Sequence, residues 1–224
     1  MPLLEIRNLK KTYVSPDGER TLIVDIPIFM IEIGEQFAIF GYSGTGKTVF
    51  LNLVAGITKP DSGSIILDGD ELTLFSDSDR DRVRAEKIGY IFQAFNLLKR
   101  YTAFENILLA MMLCGKYDRD RAMDLLDQVE LGDKSDYKPD QLSVFQQHKL
   151  SVARAFANNP RLILADEPTG YLDIHSSSRA ADLLKNICER NNSALILVSN
   201  DMKMIGGFEK RYRYESINNA INRI

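Results

Sequence analysis

Residues 41–48 form a segment whose composition and spacing could bind phosphate groups. They read GYSGTGKT and lie between an apolar strand and a helix, as the G-x-x-x-x-G-K-[ST] pattern requires. Glycines let consecutive backbone N–H groups turn toward phosphate oxygens, and the helix N-terminus adds partial positive charge. A lysine at this spacing reaches the β- and γ-phosphates, and the following hydroxyl ligates Mg²⁺. This phosphate loop predicts ATP binding with Mg²⁺ through Gly41, Ser43, Gly44, Thr45, Gly46, Lys47 and Thr48.

A pair of acidic residues supplies the second part of the predicted site. Asp166 and Glu167 follow the apolar strand 162–165, which would bring them to the carboxyl edge of a sheet. Asp166 is placed to hold Mg²⁺, directly or through water. Glu167 is placed to polarise an attacking water. Acidic pairs after strands also serve as turn or cap residues, but their combination with a phosphate loop favours the nucleotide site.

The order of predicted elements indicates an α/β fold. Strands at 3–9, 22–31, 36–40, 64–67, 88–92, 162–165 and 194–199 alternate with helices, which implies a mixed, largely parallel sheet. Residues 102–157 are mainly helical, with a capping-box pattern at Thr102 and Glu105. We expect one domain over 1–224, with its core at about 1–94 and 156–224 and a helical subdomain at about 95–155. After Gly207 the pattern predicts only a short strand at 211–214 and a polar tail.

Composition narrows the class of protein. The chain has 45% apolar and 26% charged residues, a net charge of −3, and two cysteines without metal-ligand spacing. The acidic balance argues against a nucleic-acid-binding protein that coats phosphates. The N-terminus lacks a secretion-signal layout, and no apolar run reaches the roughly 20 residues that span a bilayer. We therefore expect a cytoplasmic protein.

The motifs together resemble the ABC transporter ATPases over nearly the whole chain, with a P-loop NTPase core and N-terminal antiparallel strands. Segments 93–98 (QAFNLL) and 165–170 (ADEPTG) are similar to the branch that serves lipoprotein release, macrolide-type efflux and cell division. The resemblance implies that Gln93 contacts Mg²⁺ and the attacking water. It also implies that Tyr13 stacks on adenine, although a Tyr packed at a strand end is the alternative.

The sequence departs from the family pattern in two segments. Where the family has L-S-G-G-Q, residues 142–146, here called the signature segment, read LSVFQ. Ser143 and Gln146 are kept and would contact the ATP of a second subunit, but Val144 and Phe145 add side chains where close approach to the γ-phosphate is expected. Where the family has a His after the last core strand, this chain has Asn200. Asn200 can donate a hydrogen bond but cannot carry a proton or a positive charge.

The resemblance implies two functional alternatives. In one, the chain pairs with a second ATP-binding subunit, as homodimer or heterodimer, and its hydrolysis of ATP drives a transmembrane permease-type subunit. In the other, it binds ATP but hydrolyses it poorly because of the two departures. Either way, it would lie on the cytoplasmic face of the inner or plasma membrane through that partner. The apolar residues Phe95, Leu97 and Leu98 fit a groove for the permease, although packing in the core is the more frequent explanation for such residues. His148 and His175 lack a second metal ligand at suitable spacing and are expected to be surface or capping residues.

Overall fold

The computed structural model describes residues 1–221, and for Ile174 and His175 only the backbone. The strands are β1 (Leu4–Val14), β2 (Arg20–Ile31), β3 (Gln36–Phe40), β4 (Ser62–Leu67), β5 (Asp70–Glu71), β6 (Ile88–Ile91), β7 (Leu162–Asp166), β8 (Ala194–Val198) and β9 (Lys210–Arg213). The helices are α1 (Lys47–Val54), α2 (Asp77–Lys87), α3 (Ala103–Met112), α4 (Arg119–Gln128), α5 (Val144–Ala155), α6 (Ile174–Asn191), α7 (Met202–Gly206) and α8 (Tyr214–Ile217). Three short 3₁₀ turns lie at Leu72–Leu74, Gly132–Lys134 and Pro139–Gln141.

The predicted parallel sheet is present, with the strand order β6-β7-β8-β3-β9. β7 and β8 are buried along their whole length, as their continuous apolar sequences indicate for strands covered on both faces. One face packs against helices α3 to α6, and the other against α1 and the antiparallel sheet. The carboxyl ends of β3, β6, β7 and β8 meet at one edge, and each is followed by predicted site residues.

The N-terminal antiparallel strands are also confirmed, in the order β2-β1-β4-β5. In β1, Leu4 and Ile6 are buried while Arg7 is exposed, so the alternation seen in the sequence corresponds to a buried and a solvated face. β1 continues five residues beyond the predicted end at Leu9. It does so because a register shift between Lys11 and Thr12 lets it stay paired with β2 as far as Val14.

Helices α3, α4 and α5 occupy the chain between β6 and β7. Capping boxes begin two of them: Thr102 with Glu105 at α3, as predicted, and Ser143 with Gln146 at α5. Ala103, Ile107 and Leu125 are fully buried in the core that these helices share with the sheet. The expected division of the chain into a core and a helical subdomain stays a prediction.

The C-terminal segment differs from the predicted polar tail. β9 adds to the parallel sheet beside β3, and the short helix α8 follows it at once. Tyr214 and Asn218 are fully buried and Ala220 is nearly so. The sequence pattern missed this packing because the segment is too short to show helical or strand periodicity. Among residues 1–221, none of the helices combines the length and apolar character that a bilayer crossing requires.

Candidate functional site

The phosphate loop joins the end of β3 to the start of α1, as the sequence predicts. Gly44 and Gly46 have φ of 81° and 95°, a region that L-residues with side chains rarely adopt. A β-carbon at Gly46 would also lie 2.6 Å from Cγ2 of Ile23. Gly46 is the residue before α1, so the loop leads directly into a helix N-terminus with unpaired backbone N–H groups.

Lys47 is held at the mouth of this loop. Its side chain is only 6% exposed, and Nζ donates hydrogen bonds to the carbonyl oxygens of Gly41 (2.8 Å) and Tyr42 (2.7 Å). Burial lowers the pKa of Lys47, while the negative charges of Glu167, Glu215 and Asp166 oppose that shift. The carboxylates favour the protonated form of Lys47, and this cation at the phosphate loop is suited to receive an anionic ligand.

Asp166 ends β7 in the same cleft as Thr48. Its Oδ1 is buried and has no hydrogen-bond partner among the described residues. Burial raises the pKa of the Asp166 carboxyl, and the nearby Thr48 side chain counteracts this rise. A buried carboxylate oxygen without a donor is costly unless a cation or water completes it. Together with the exposed Thr48 hydroxyl, this orphaned oxygen fits Mg²⁺, which prefers such hard oxygen ligands.

Glu167 is fixed in an unusual conformation immediately after Asp166. Its φ is 44°, in the left-handed region that residues other than glycine adopt uncommonly. Its backbone N–H donates to the Val198 carbonyl at 2.8 Å. Its Oε2 accepts hydrogen bonds from the Ser199 hydroxyl (3.1 Å) and the Asn200 backbone N–H (3.0 Å). Both the backbone and the side chain of Glu167 are therefore bonded to the end of β8. The contribution of Asn200 comes from its backbone N–H and does not depend on its side chain.

Gln93 lies just beyond β6 and packs on the loop that follows Glu167. A β-carbon at Gly170 would come within 2.7 Å of Gln93 Nε2 and 2.9 Å of its Cγ. Such distances are closer than van der Waals contact, so the absence of a side chain at Gly170 leaves the space that Gln93 occupies. Gln93 is exposed to solvent and faces the cleft.

Most of the predicted site residues therefore share one cleft of about 730 Å³, a size within the range of small-molecule sites. Its lining residues are Tyr13, Ile23, Ser43, Gly44, Gly46, Lys47, Thr48, Val49, Gln93, Asp166, Glu167 and Asn200. Two residues of the phosphate loop do not line this cleft. Thr45 Oγ1 donates to the Tyr42 carbonyl at 2.8 Å, and Gly41 lines a neighbouring cavity of about 440 Å³.

Ser143 and Gln146 are not in this cleft. They form the reciprocal cap at the N-terminus of α5: Gln146 N–H donates to the Ser143 hydroxyl (3.3 Å), and Ser143 N–H donates to Gln146 Oε1 (2.9 Å). Val144, at the first helical position, is 48% exposed. Because Ser143 and Gln146 lie outside the cleft, they could contact only the nucleotide of a second subunit.

Phe145 turns away from the tip of α5. Its ring stacks on His148 with a centroid separation of 6.1 Å and an interplanar angle of 10°. The guanidinium of Arg179 in α6 lies 4.8 Å from the ring centroid and Lys149 Nζ lies 5.5 Å from it. Of the two side chains that replace glycines in the signature segment, only Val144 therefore stands open at the tip.

The prediction that His148 is a surface or capping residue is wrong. His148 is fully buried, in edge contact with Phe95, whose ring also contacts Tyr171 in the loop after Glu167. Neither imidazole nitrogen has a hydrogen-bond partner among the described residues, and burial lowers the pKa of His148 to about 4. Its expected place on the polar side of a helix of mixed composition gave no sign of this burial. The side chain of His175 lies outside the described part of the chain.

Three residues with structural roles near the site were not found from the sequence. Ser199 orients Glu167, and its position beside Asn200 was the available signal. Glu215 contacts the phosphate loop from 173 positions away, so no local pattern could reveal it. Asn106 is fully buried and bonds to the backbone of the Leu98–Thr102 loop.

Comparisons with known proteins agree with this geometry. The family described as "ABC transporter" matches residues 27–170. The chain is 41% identical over 203 residues to the lipoprotein-releasing system ATP-binding protein LolD 1 of Chlorobium chlorochromatii, covering 89% of this chain and 82% of that protein. It is 40% identical over 190 residues to the macrolide export ATP-binding/permease protein MacB of Campylobacter jejuni, covering 84% of this chain and 29% of that longer protein.

A solved structure matches almost the whole fold. It is the dimeric, post-hydrolysis state of the ATP-binding cassette MJ0796 of Methanocaldococcus jannaschii, bound to ADP and Pi. The superposition has a TM-score of 0.83 at 32% sequence identity and covers 97% of this chain and 95% of that chain. The family match, the relatives and the arrangement of the cleft lead to one conclusion: the chain belongs to the ABC transporter ATP-binding proteins, in the branch of the lipoprotein-release and macrolide-export subunits.

Proposed function

We propose that the chain binds ATP in the described cleft and hydrolyses it to drive a transmembrane partner. The observation that carries this proposal is the convergence of Lys47 with Asp166 and Glu167, from two segments far apart in the sequence, on one cleft beside the phosphate loop. Each has the chemistry that its role needs: a cation for phosphate, an orphaned oxygen for metal, and a fixed carboxylate for water.

Mg²⁺ would be held by Thr48 and Asp166, with Gln93 at the edge of the same cleft. When bound, the ion would neutralise charge on the phosphate oxygens. The protein's own contribution is to keep Asp166 Oδ1 unpaired and buried, so that ligation satisfies an oxygen that is otherwise costly. Tyr13, about half exposed at the end of β1, lines the cleft and is available to stack on the adenine.

Glu167 is the residue we assign to polarising the attacking water. The two donors at Oε2 hold the carboxylate in one orientation, and Oε1 accepts no hydrogen bond from the described part of residues 1–221, so it is available to accept a proton. Asn200 replaces the family's His, but its backbone N–H is one of those two donors, so this support for Glu167 does not depend on an imidazole. No observation of the fold or the relatives favours the poorly hydrolysing alternative.

A second ATP-binding subunit, identical or not, would complete the site. The related cassette MJ0796 is dimeric in its solved structures. In this chain the N-terminus of α5, with the Ser143 cap and the exposed Val144, is the surface we assign to the ATP of the second subunit. Close approach of this surface to the γ-phosphate has to accommodate the side chain of Val144 but not that of Phe145, which packs on His148 and Arg179.

The transmembrane partner would dock in the groove beside α2 and α3, which has a volume of about 980 Å³. Its apolar lining includes Tyr90, Phe92, Leu98, Tyr101 and Leu113, and Arg82, Arg84 and Glu86 lie along it. Leu98 lines this groove as expected, whereas Phe95 instead packs on His148. An apolar groove of this volume with charged residues along it suits an amphipathic helix. Docking there would hold the chain at the cytoplasmic face of the membrane.

The proposal is tested with purified protein by calorimetry of Mg-ATP binding and by phosphate release. Lys47→Ala should abolish binding, whereas Lys99→Ala, at an exposed position away from the cleft, should not. Glu167→Gln should keep binding and lower turnover by about 10²-fold or more, as loss of a well-placed catalytic group does. Absence of binding in the wild type would refute the assignment, and turnover no faster than that of Glu167→Gln would refute the hydrolytic part.

A further inference from the structure

The C-terminal segment reaches back to the nucleotide site and is tied to β2. Asn218 accepts the Asp25 N–H (2.8 Å) on Oδ1 and donates from Nδ2 to the Ile23 carbonyl (2.8 Å). Asn219 N–H donates to the Asp25 carbonyl at 2.8 Å. Since Asn218 is fully buried, these bonds fix α8 rigidly beside the phosphate loop.

Two neighbouring residues of α8 contact the two ends of the phosphate loop. The Tyr214 hydroxyl donates to the Gly46 carbonyl at 3.3 Å, and its buried ring lies 6.0 Å from that of Phe50 in α1. At the other end, Glu215 Oε1 accepts the Tyr42 N–H at 3.3 Å. A β-carbon at Gly41 would lie 2.9 and 3.0 Å from the two carboxylate oxygens, so the carboxylate rests directly on the backbone there.

Glu215 forms no ion pair within the described part of the chain, although Arg213 lines the same cavity and Lys47 is influenced by its charge. Its Oε2 is buried and has no hydrogen-bond partner among the described residues. Its negative charge acts on Lys47, where its effect exceeds that of Asp166. Glu215 lines the cavity beside the main cleft, and Ser43 and Asn200 line both spaces. A carboxylate in this position faces the same region as the phosphates of ATP and repels them.

We propose that Tyr214 and Glu215 form a C-terminal clamp on the phosphate loop, in which the Glu215 charge sets a reduced affinity for ATP. The proposal rests on the proposed ATP binding and adds a regulatory element to it. Tyr214 and Glu215 are positioning residues: they hold Gly46 and Tyr42, and the loop between them binds the phosphates. The weakened affinity favours release of nucleotide after each cycle.

Glu215→Gln separates charge from shape, because glutamine keeps an acceptor for the Tyr42 N–H. The binding of the non-hydrolysable analogue AMP-PNP with Mg²⁺ is measured by calorimetry. In about 0.1 M salt the variant should bind roughly three- to tenfold more tightly than wild type, the scale of partly screened charge repulsion. In about 1 M salt, where the Debye length is about 3 Å, the ratio should become smaller but stay above one, because a partly buried charge is screened less than an exposed one.

Glu209→Gln is the matched control. Glu209 is exposed and precedes β9 at the opposite end of the strand from Glu215, so the same change of charge there should leave affinity unaltered. Tyr214→Phe removes only the hydroxyl and should weaken binding, opposite in sign to Glu215→Gln. An affinity of Glu215→Gln equal to or below that of wild type, or a gain that is larger in high salt than in low salt, would overturn the clamp. If wild type itself failed to bind AMP-PNP, the proposed function would fail instead.

Discussion

Truncation of Phe145 to Ala tests whether the substitutions in the signature segment act on stability or on the nucleotide. The ring is partly buried, stacks on His148 and lies under the guanidinium of Arg179. Full truncation of a buried Phe costs roughly 3–5 kcal/mol, so a partly buried ring should contribute about 2 kcal/mol. For a chain of this length that loss corresponds to a fall in Tm of about 4–8 °C.

The assay combines thermal unfolding with phosphate release on the same preparations. Phe145→Ala should unfold earlier but should not raise turnover by more than about twofold, because the ring does not stand at the tip of α5. Phe145→Leu, which keeps much of the volume, should lose about half as much stability. Val144→Ala is the matched control at the exposed neighbouring position and should change stability by less than about 0.5 kcal/mol.

One result would refute this reasoning. If Phe145→Ala left Tm unchanged and increased turnover severalfold, the ring would have to occupy the space of the γ-phosphate rather than pack on α5 and α6. The expectation from the family pattern, that both Val144 and Phe145 obstruct the composite site, would then be correct.

Three further perturbations follow from contacts within the chain. Burial holds the pKa of His148 at about 4, whereas a histidine in the unfolded chain has a pKa of about 6.5. Between these pH values the unfolded chain binds one more proton at this residue than the folded chain does. The contribution of His148 therefore makes the free energy of unfolding fall as the pH falls from about 6.5 to 4. His148→Leu should flatten that dependence in urea titrations at several pH values; an identical slope to wild type would contradict the burial. Asn106→Ala should lower the free energy of unfolding by about 2–3 kcal/mol, because it leaves backbone groups of the 98–102 loop unpaired. The affinity for ATP, measured by calorimetry, should not change. Weaker ATP binding would contradict a role confined to that loop. Gly170→Ala should displace Gln93 and lower turnover about tenfold at unchanged ATP affinity, whereas Gly206→Ala, where a β-carbon meets no other atom, should not; equal turnover in both variants would reject the contact.

Much of the nucleotide site was predictable because its chemistry is local in the chain. The glycines of the phosphate loop must lie between a strand and a helix, and that context is readable from periodicity and spacing alone. Asp166 was placed at the sheet edge because the run before it is entirely apolar. The predicted strands differ from the observed ones mostly by one or two residues at their ends, the exception being β1, which a register shift extends.

The wrong and missing predictions concern surroundings rather than residue types. His148 fits the polar side of its helix in the sequence, yet it is buried in contact with Phe95 and Phe145. The segment after Gly207 was expected to hold a short strand at 211–214 and then a polar tail; the strand is present one residue earlier, but Tyr214 is fully buried against α1 and Asn218 is fully buried too.

The sequence by itself determined the nucleotide chemistry and the α/β alternation, since both depend on residues close together in the chain. Only the tertiary structure decided which way Phe145 points, how Glu167 is held, and that Glu215 rests on the phosphate loop 173 residues away. Burial, orientation and electrostatic environment are properties of contacts between distant segments, and no pattern within a short window encodes those contacts.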